Sequence, residues 1–92
     1  MSVLPSLSAL RCFDASARHG SFTLAAQEVH LTQSAVSHQI LGLEAQLGLP
    51  LFVRSRGGLR LTEAGRAYWS EVAVALRQLE RATQNLLMHQ GA

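Results

Sequence analysis

The 92-residue chain contains no lysine; all eight of its basic residues are arginine. Arginine binds phosphate in a fork and fits narrow minor grooves, although a compositional bias toward arginine explains the pattern equally well. There is one cysteine, Cys12. That excludes an internal disulfide, leaves no second thiol for a zinc cluster, and reads as an ordinary buried thiol in a first helix. No apolar run approaches the length of a membrane span, and no charged-then-apolar leader opens the chain. The start Met-Ser-Val-Leu-Pro is expected to be a native cytoplasmic terminus. The net charge of +2 is weak as a mark of any polyanionic partner. What remains is a chain with room for one small domain, and its 48% hydrophobic content suffices for a packed interior and excludes disorder by composition.

The most informative stretch is Thr32-Gln33-Ser34-Ala35-Val36-Ser37-His38-Gln39-Ile40. Thr32 is a helix-capping residue, and Val36, Ile40, Leu43 and Leu47 then fall into one buried stripe. Farthest from that stripe lie Ser34, His38, Leu41 and Ala45, with Ser37 on the shoulder. A helix pinned on one side, and offering short hydroxyl, amide and imidazole groups on the other, suits a DNA major groove. The spacing therefore predicts a recognition helix from Gln33 to about Leu47, stopped by Gly48 and kept from restarting by Pro50.

The flanking segments fit around it. Ser6, with Pro5 ahead of it, caps a first helix whose stripe is Leu7, Leu10, Phe13 (or Asp14) and Ala17, and Gly20 stops it. Ser21 or Thr23 caps a short second helix through Val29, in which the small Ala25-Ala26 pair permits close approach. His30 and Leu31 connect it to Thr32, with His30 read as a surface or capping residue and Phe22 and Leu31 as seals of the turn. A short helix, a tight turn and a longer helix with a polar face make a helix-turn-helix.

After the recognition helix, Leu51-Phe52-Val53-Arg54 and Leu59-Arg60-Leu61 flank Gly57-Gly58, which predicts a hairpin. Charge is concentrated there: residues 54–66 hold Arg54, Arg56, Arg60 and Arg66 against Glu63, a net of +3, while residues 1–53 carry a net of −1 and residues 67–92 none. Such a hairpin reads as a wing that could place Arg56 in a minor groove, or more plainly as a solvated basic turn. Thr62 then caps a last helix from Glu63 to about Met88, roughly 39 Å long. Tyr68, Val72, Leu76, Leu79, Thr83 and Leu86 recur along it at spacings of three and four. The base, with Ala64, Tyr68 and Trp69, is expected to pack on the domain and the remainder to pair with a second copy; the plainer alternative is a helix packed wholly on its own domain. His89 to Ala92 read as a frayed end.

With these residues placed, the chain resembles the N-terminal DNA-binding domain of LysR-type transcriptional regulators over nearly its whole length. The carrying segments are Gly20-Ser21-Phe22-Thr23-x-Ala25-Ala26, Leu31-Thr32-Gln33-Ser34-Ala35-Val36-Ser37-x-Gln39-Ile40, Leu43-Glu44-x-x-Leu47-Gly48, Leu51-Phe52-x-Arg54 and Leu61-Thr62-Glu63-Ala64-Gly65. Leu4-Pro5-x-Leu7-x-Ala9-Leu10-Arg11-x-Phe13 and Ala15-x-Ala17-Arg18-His19 are similar to the branch of glycine-cleavage activators and β-lactamase regulators. The resemblance implies a mainly α fold: a winged helix-turn-helix of three helices and a two-stranded wing over residues 1–61, and a linker helix for dimerisation over residues 62–92. It implies double-stranded DNA as partner, bound as a homodimer on an interrupted inverted repeat. It further implies a C-terminal effector-binding domain absent from this chain, through which alone a small-molecule effector would act, and a tetramer in the full-length protein. Localisation would be cytoplasmic and nucleoid-associated.

By the same resemblance, bases are read by Gln33, Ser34, Ser37 and His38, with a wing arginine in the minor groove. Phosphates would be met by Thr32, Arg54 and Arg60. The dimer seam would comprise Val72, Leu76, Leu79, Thr83 and Leu86. Leu41 departs from the family, which often carries lysine there; one phosphate contact is thereby lost or replaced by contact with a thymine methyl, and Gly42 beside it leaves that face bare. His38 has the plainer reading of an exposed histidine with no partner, and Tyr68 and Trp69 of core residues rather than base-stackers. A helical protein–protein interaction module without DNA binding is the alternative function. No metal spacing, nucleophile elbow or Gly-rich phosphate loop asks for an enzyme, and no cofactor or metal is expected.

Overall fold

A computed structural model describes residues 3–90. The elements run α1 (Leu7–His19), α2 (Phe22–Val29), α3 (Gln33–Leu47), β1 (Phe52–Ser55), β2 (Gly58–Leu61) and α4 (Glu63–Gln90). Each short helix starts at a side-chain cap: Ser6 Oγ accepts from Ala9 N at 3.1 Å, Ser21 Oγ from Leu24 N at 3.2 Å, and Thr32 Oγ1 from Ala35 N at 3.1 Å. Ser21, not Thr23, thus caps α2. α1 and α3 stop at Gly20 and Gly48, with φ of 62° and 74°. α2 stops at His30, which adopts φ 60° and donates its N–H to the Ala26 carbonyl. His30 therefore caps through its backbone, at the cost of about 1–2 kcal/mol that a left-handed conformation imposes on a residue bearing Cβ.

The core gathers on α1. Its buried face comprises Ala9, Cys12, Phe13, Ala15 and Ser16, whereas Leu7 is 54% exposed and Leu10 and Ala17 are only half-buried. Of the expected stripe Phe13 is fully buried, but the rest of the buried face is displaced from the leucines because α1 packs against α2, α3 and α4, and small side chains let three neighbours approach. Burial pushes the Cys12 thiol pKa up, partly offset by the charge of Arg11. Phe13 is central: its ring meets Phe52 edge-on at 5.6 Å and stacks on Tyr68 at 5.5 Å. Phe22 joins this aromatic cluster through Phe52 at 6.0 Å, but Leu31, the other expected seal of the turn, is 41% exposed. α3 contributes Val36, Ile40 and Leu43, with Leu47 half-buried, as its spacing predicts.

The hairpin is antiparallel, with Phe52 opposite Leu61, Val53 opposite Arg60, Arg54 opposite Leu59 and Ser55 opposite Gly58. Its two-residue turn is therefore Arg56-Gly57, one residue earlier than the Gly57-Gly58 turn expected. Gly58 belongs to β2 with φ 114°, a conformation that glycine alone adopts readily, and a Cβ there would stand 3.6 Å from the Gly20 carbonyl oxygen.

α4 starts at Thr62, whose Oγ1 accepts from Gly65 N at 2.9 Å and donates to the Pro50 carbonyl at 2.8 Å. Ala64, expected to pack at its base, is exposed, and the close approach is made by buried Gly65. A Cβ on Gly65 would stand 2.1 Å from the Leu51 carbonyl oxygen. Trp69 Nε1 donates to Asp14 Oδ1 at 3.0 Å, tying the helix to α1. Val72 and Leu76, expected in a seam between subunits, are 7% and 9% exposed within the chain's own core. From Arg77 onward every described side chain of the helix is exposed. α4 has 28 residues and runs two positions past Met88, through His89 and Gln90. The frayed end expected at Gly91 and Ala92, and the cytoplasmic terminus read from Met1 and Ser2, lie outside the described residues. Among the described residues no helix is long and apolar enough to cross a membrane.

Candidate nucleic-acid interface

The outer face of α3 carries the first group of site residues. Gln33, Ser34, Ser37, His38 and Leu41 together line one shallow depression. Gln33, Ser34 and His38 are exposed and Ser37 is half-buried, because the opposite stripe of Val36, Ile40 and Leu43 fixes how far the helix can roll. Thr32 is exposed at the head of the helix; its oxygen caps α3, which leaves its own O–H hydrogen free to donate outward. No acidic residue occupies the first turn, so the positive end of the helix dipole is not neutralised there.

Gln33 is not a free side chain. Thr23 Oγ1, on the second residue of α2, donates to Gln33 Oε1 at 3.1 Å. At the far edge Gln39 Nε2 donates to Ser8 Oγ at 3.1 Å and joins α3 to the start of α1. Beyond His38 the face turns bare: Leu41 is 49% exposed, and Gly42 has open space where a side chain would stand.

The three wing arginines are placed differently from one another. Arg56 occupies the tip of the turn and Arg60 the outward face of β2; both are exposed. Among the described residues neither lies within 4.0 Å of a carboxylate. Arg54 faces inward along the joint between wing and helices. Its guanidinium lies 5.2 Å from the centre of the Phe22 ring, and its Nη2 lies 3.8 Å from Glu44 Oε1. It is thus engaged within the chain as well as half-exposed.

Glu44 is the residue that the sequence pattern did not single out as part of this site. Its Oε2 accepts from Leu51 N at 2.7 Å and Phe52 N at 3.2 Å, fastening the first strand of the wing to the last turn of α3. A signal was available: an acid in the last turn of a helix opposes the dipole and needs donors from elsewhere. Behind the interface, Arg18 binds Asp14 from Nε at 3.1 Å and grips Glu28 with both terminal nitrogens, one of them at 2.8 Å; His19 Nε2 meets Glu28 Oε1 at 2.9 Å. The Arg18 hydrogen bond, helped by His19 and opposed by burial, holds the Glu28 carboxyl at about 2. This clamp joins α1 to α2 and leaves the outer face of α3 uncovered.

On α4, Leu79 is 54% and Leu86 68% exposed, and Thr83 between them is exposed too. They continue, toward the free end of the helix, the stripe that Val72 and Leu76 bury at its base.

Residues 7–66 match the model of the bacterial regulatory helix-turn-helix proteins of the lysR family. The chain belongs to the LysR family. Its similarity to the glycine cleavage system transcriptional activator of Escherichia coli (strain K12) is 54% identity over 83 residues, covering 90% of this chain and 27% of that protein. With the HTH-type transcriptional activator AmpR of Providencia stuartii it is 50% over 78 residues, covering 85% and 27%. The chain therefore spans about a quarter of the length of these LysR relatives. Among solved structures, the CbnR_DBD–DNA complex superposes with a TM-score of 0.79 at 31% identity, covering 91% of this chain and 97% of that one. The BenM_DBD complex with catB site 1 DNA gives 0.87 at 26% identity, covering 95% and 98%. The winged helix-turn-helix described above is the fold of LysR DNA-binding domains.

Proposed function

We propose that this LysR domain binds double-stranded DNA sequence-specifically, as a homodimer on an interrupted inverted repeat, with α3 in the major groove and the wing at the minor groove. The observation that carries the reading is the uncovered outer face of α3, where Gln33, Ser34, Ser37 and His38 converge; Arg56, exposed at the tip of the wing, meets no carboxylate among the described residues. Gln33 donates to a base edge, Ser34 and Ser37 donate or accept, and His38 donates to guanine. Thr32, Arg60 and the outer N–H groups of Arg54 meet phosphates and set register without reading sequence. Arg56, at the tip of the wing, enters the minor groove.

Dimerisation uses the exposed part of α4: Leu79, Thr83 and Leu86 pack against a second copy running antiparallel, while Val72 and Leu76 hold the base of the helix in its own subunit. In this division residues 1–61 meet DNA and residues 62–92 link the subunits. The domain acts by binding, not turnover, as part of a longer cytoplasmic, nucleoid-associated regulator. That protein is tetrameric, and its effector domain lies C-terminal to this chain. Selecting bound sequences from a random DNA pool tests the reading. It should enrich an inverted repeat whose half-sites are separated by about one or two helical turns, bound by a species of twice the 10.0 kDa chain mass. No enriched sequence, or a monomer with full operator affinity, would overturn it.

A further inference from the structure

We infer that Thr23 positions Gln33 for base reading: its hydroxyl holds the Gln33 amide against α2 and turns Nε2 outward, so that Gln33 selects a purine N7. The inference rests on α3 being the base-reading helix. The two residues stand ten apart, on either side of the turn, with Thr23 near the start of α2 and Gln33 first in α3. Because Ser21 caps α2, the Thr23 hydroxyl is not needed for the helix end and is used on Gln33 Oε1 instead. A glutamine amide has two acceptor lone pairs on oxygen and two N–H donors. Thr23 fills one lone pair, and among the described residues both hydrogens of Nε2 stay unclaimed. The long, rotamer-rich side chain is thereby ordered before DNA arrives, so less freedom is lost on binding.

An outward Nε2 needs an acceptor. In the major groove purines present N7, guanine also O6 and thymine O4, whereas cytosine presents the donor N4–H2; only adenine sets an acceptor, N7, beside a donor, N6–H2. The remaining lone pair of Oε1 is available to an adenine N6–H2. Thr23 itself need not touch the DNA, and its effect should fall on one base position rather than on affinity at large.

The test uses this chain and an operator selected from a random pool, with 7-deazapurine substituted for each half-site purine in turn and binding read by fluorescence anisotropy. In the wild-type chain, one position per half-site should lose about 5- to 150-fold in affinity on loss of N7. Thr23→Val, which removes the hydroxyl and keeps the shape, and Gln33→Ala should each shrink that loss to under about threefold, and Thr23→Ser should retain it. Affinity for random DNA and the melting temperature of Thr23→Val should stay at wild-type values. A full N7 penalty surviving in Thr23→Val would overturn the inference. So would equal losses on operator and random DNA, which would make Thr23 a phosphate anchor. Failure of the underlying reading looks different: the wild-type chain itself would then bind operator and random DNA alike, and the inference falls with it.

Discussion

Replacing Glu44 with alanine should detach the wing from the recognition helix. Its carboxylate accepts from two backbone N–H groups, Leu51 at 2.7 Å and Phe52 at 3.2 Å, and lies 3.8 Å from Arg54. A hydrogen bond to a charged group contributes about 1.5–3 kcal/mol, so the two together set a loss of about 3 kcal/mol or more. Two effects offset part of it: alanine is a better helix former, and the acid no longer opposes the helix dipole, which together return about 0.5–1 kcal/mol. The net cost is about 2–3 kcal/mol, or a fall in Tm of about 10–20 °C for a domain of this size. Glutamine is the informative control. Both N–H bonds converge on one oxygen, so an amide oxygen in the same place can accept both, and only the charge is lost. Glu44→Gln should therefore cost about 1 kcal/mol, or about 4–8 °C. Thermal and urea unfolding give the energies, and amide hydrogen exchange at Leu51 and Phe52 should accelerate in Glu44→Ala ahead of the α1 core. A loss below about 0.5 kcal/mol in the alanine variant, or equal losses in both variants, would refute the reasoning.

Gly65→Ala should destabilise by about 3 kcal/mol or more, because its Cβ would meet the Leu51 carbonyl oxygen at 2.1 Å and backbone cannot yield as a side chain can; a wild-type urea midpoint would contradict this. The Glu28 carboxyl is depressed from 4.5 to about 2, so its contribution is complete above 4.5 and fades as the pH falls toward 2. It is solvent-screened, and so Glu28→Gln should lower stability by under about 1 kcal/mol at pH 6. The two proteins should converge near pH 2 in urea titrations, and a gap that persists there would refute the assignment. Arg56→Ala should reduce the slope of log affinity against log salt by about 0.9 for each wing, and an unchanged slope would remove Arg56 from the interface.

Helix ends were legible in the sequence because their chemistry is local. Ser6, Thr32, Gly20 and Gly48 each act within four residues, and the bounds of α3 stand as the spacing predicts. The hairpin was legible to within one residue; two adjacent glycines leave the turn position open, and the strand register, with Ser55 opposite Gly58, places it at Arg56-Gly57. The buried face of α1 was legible at Phe13 but misread at the leucines, which dominate a hydrophobic pattern, while around Phe13 the helix buries small residues under three neighbours. The α4 stripe was legible as a stripe, but where intrachain packing ends, at Leu76, depends on how far α1 reaches along it. Side-chain links between distant positions, such as Thr23 to Gln33, Glu44 to Leu51 and Asp14 to Trp69, could not be paired from sequence, since each exists only once the helices are docked. The outer face of α3 was legible because it follows from the period of one helix.

That face carries the central claim, and Gln33→Ala tests it most directly. The measurement is the ratio of affinity for the selected operator to affinity for random DNA at one salt concentration. The account predicts that this ratio falls by the equivalent of about 1–3 kcal/mol, with random-DNA affinity unchanged. Equal losses on both DNAs would contradict it.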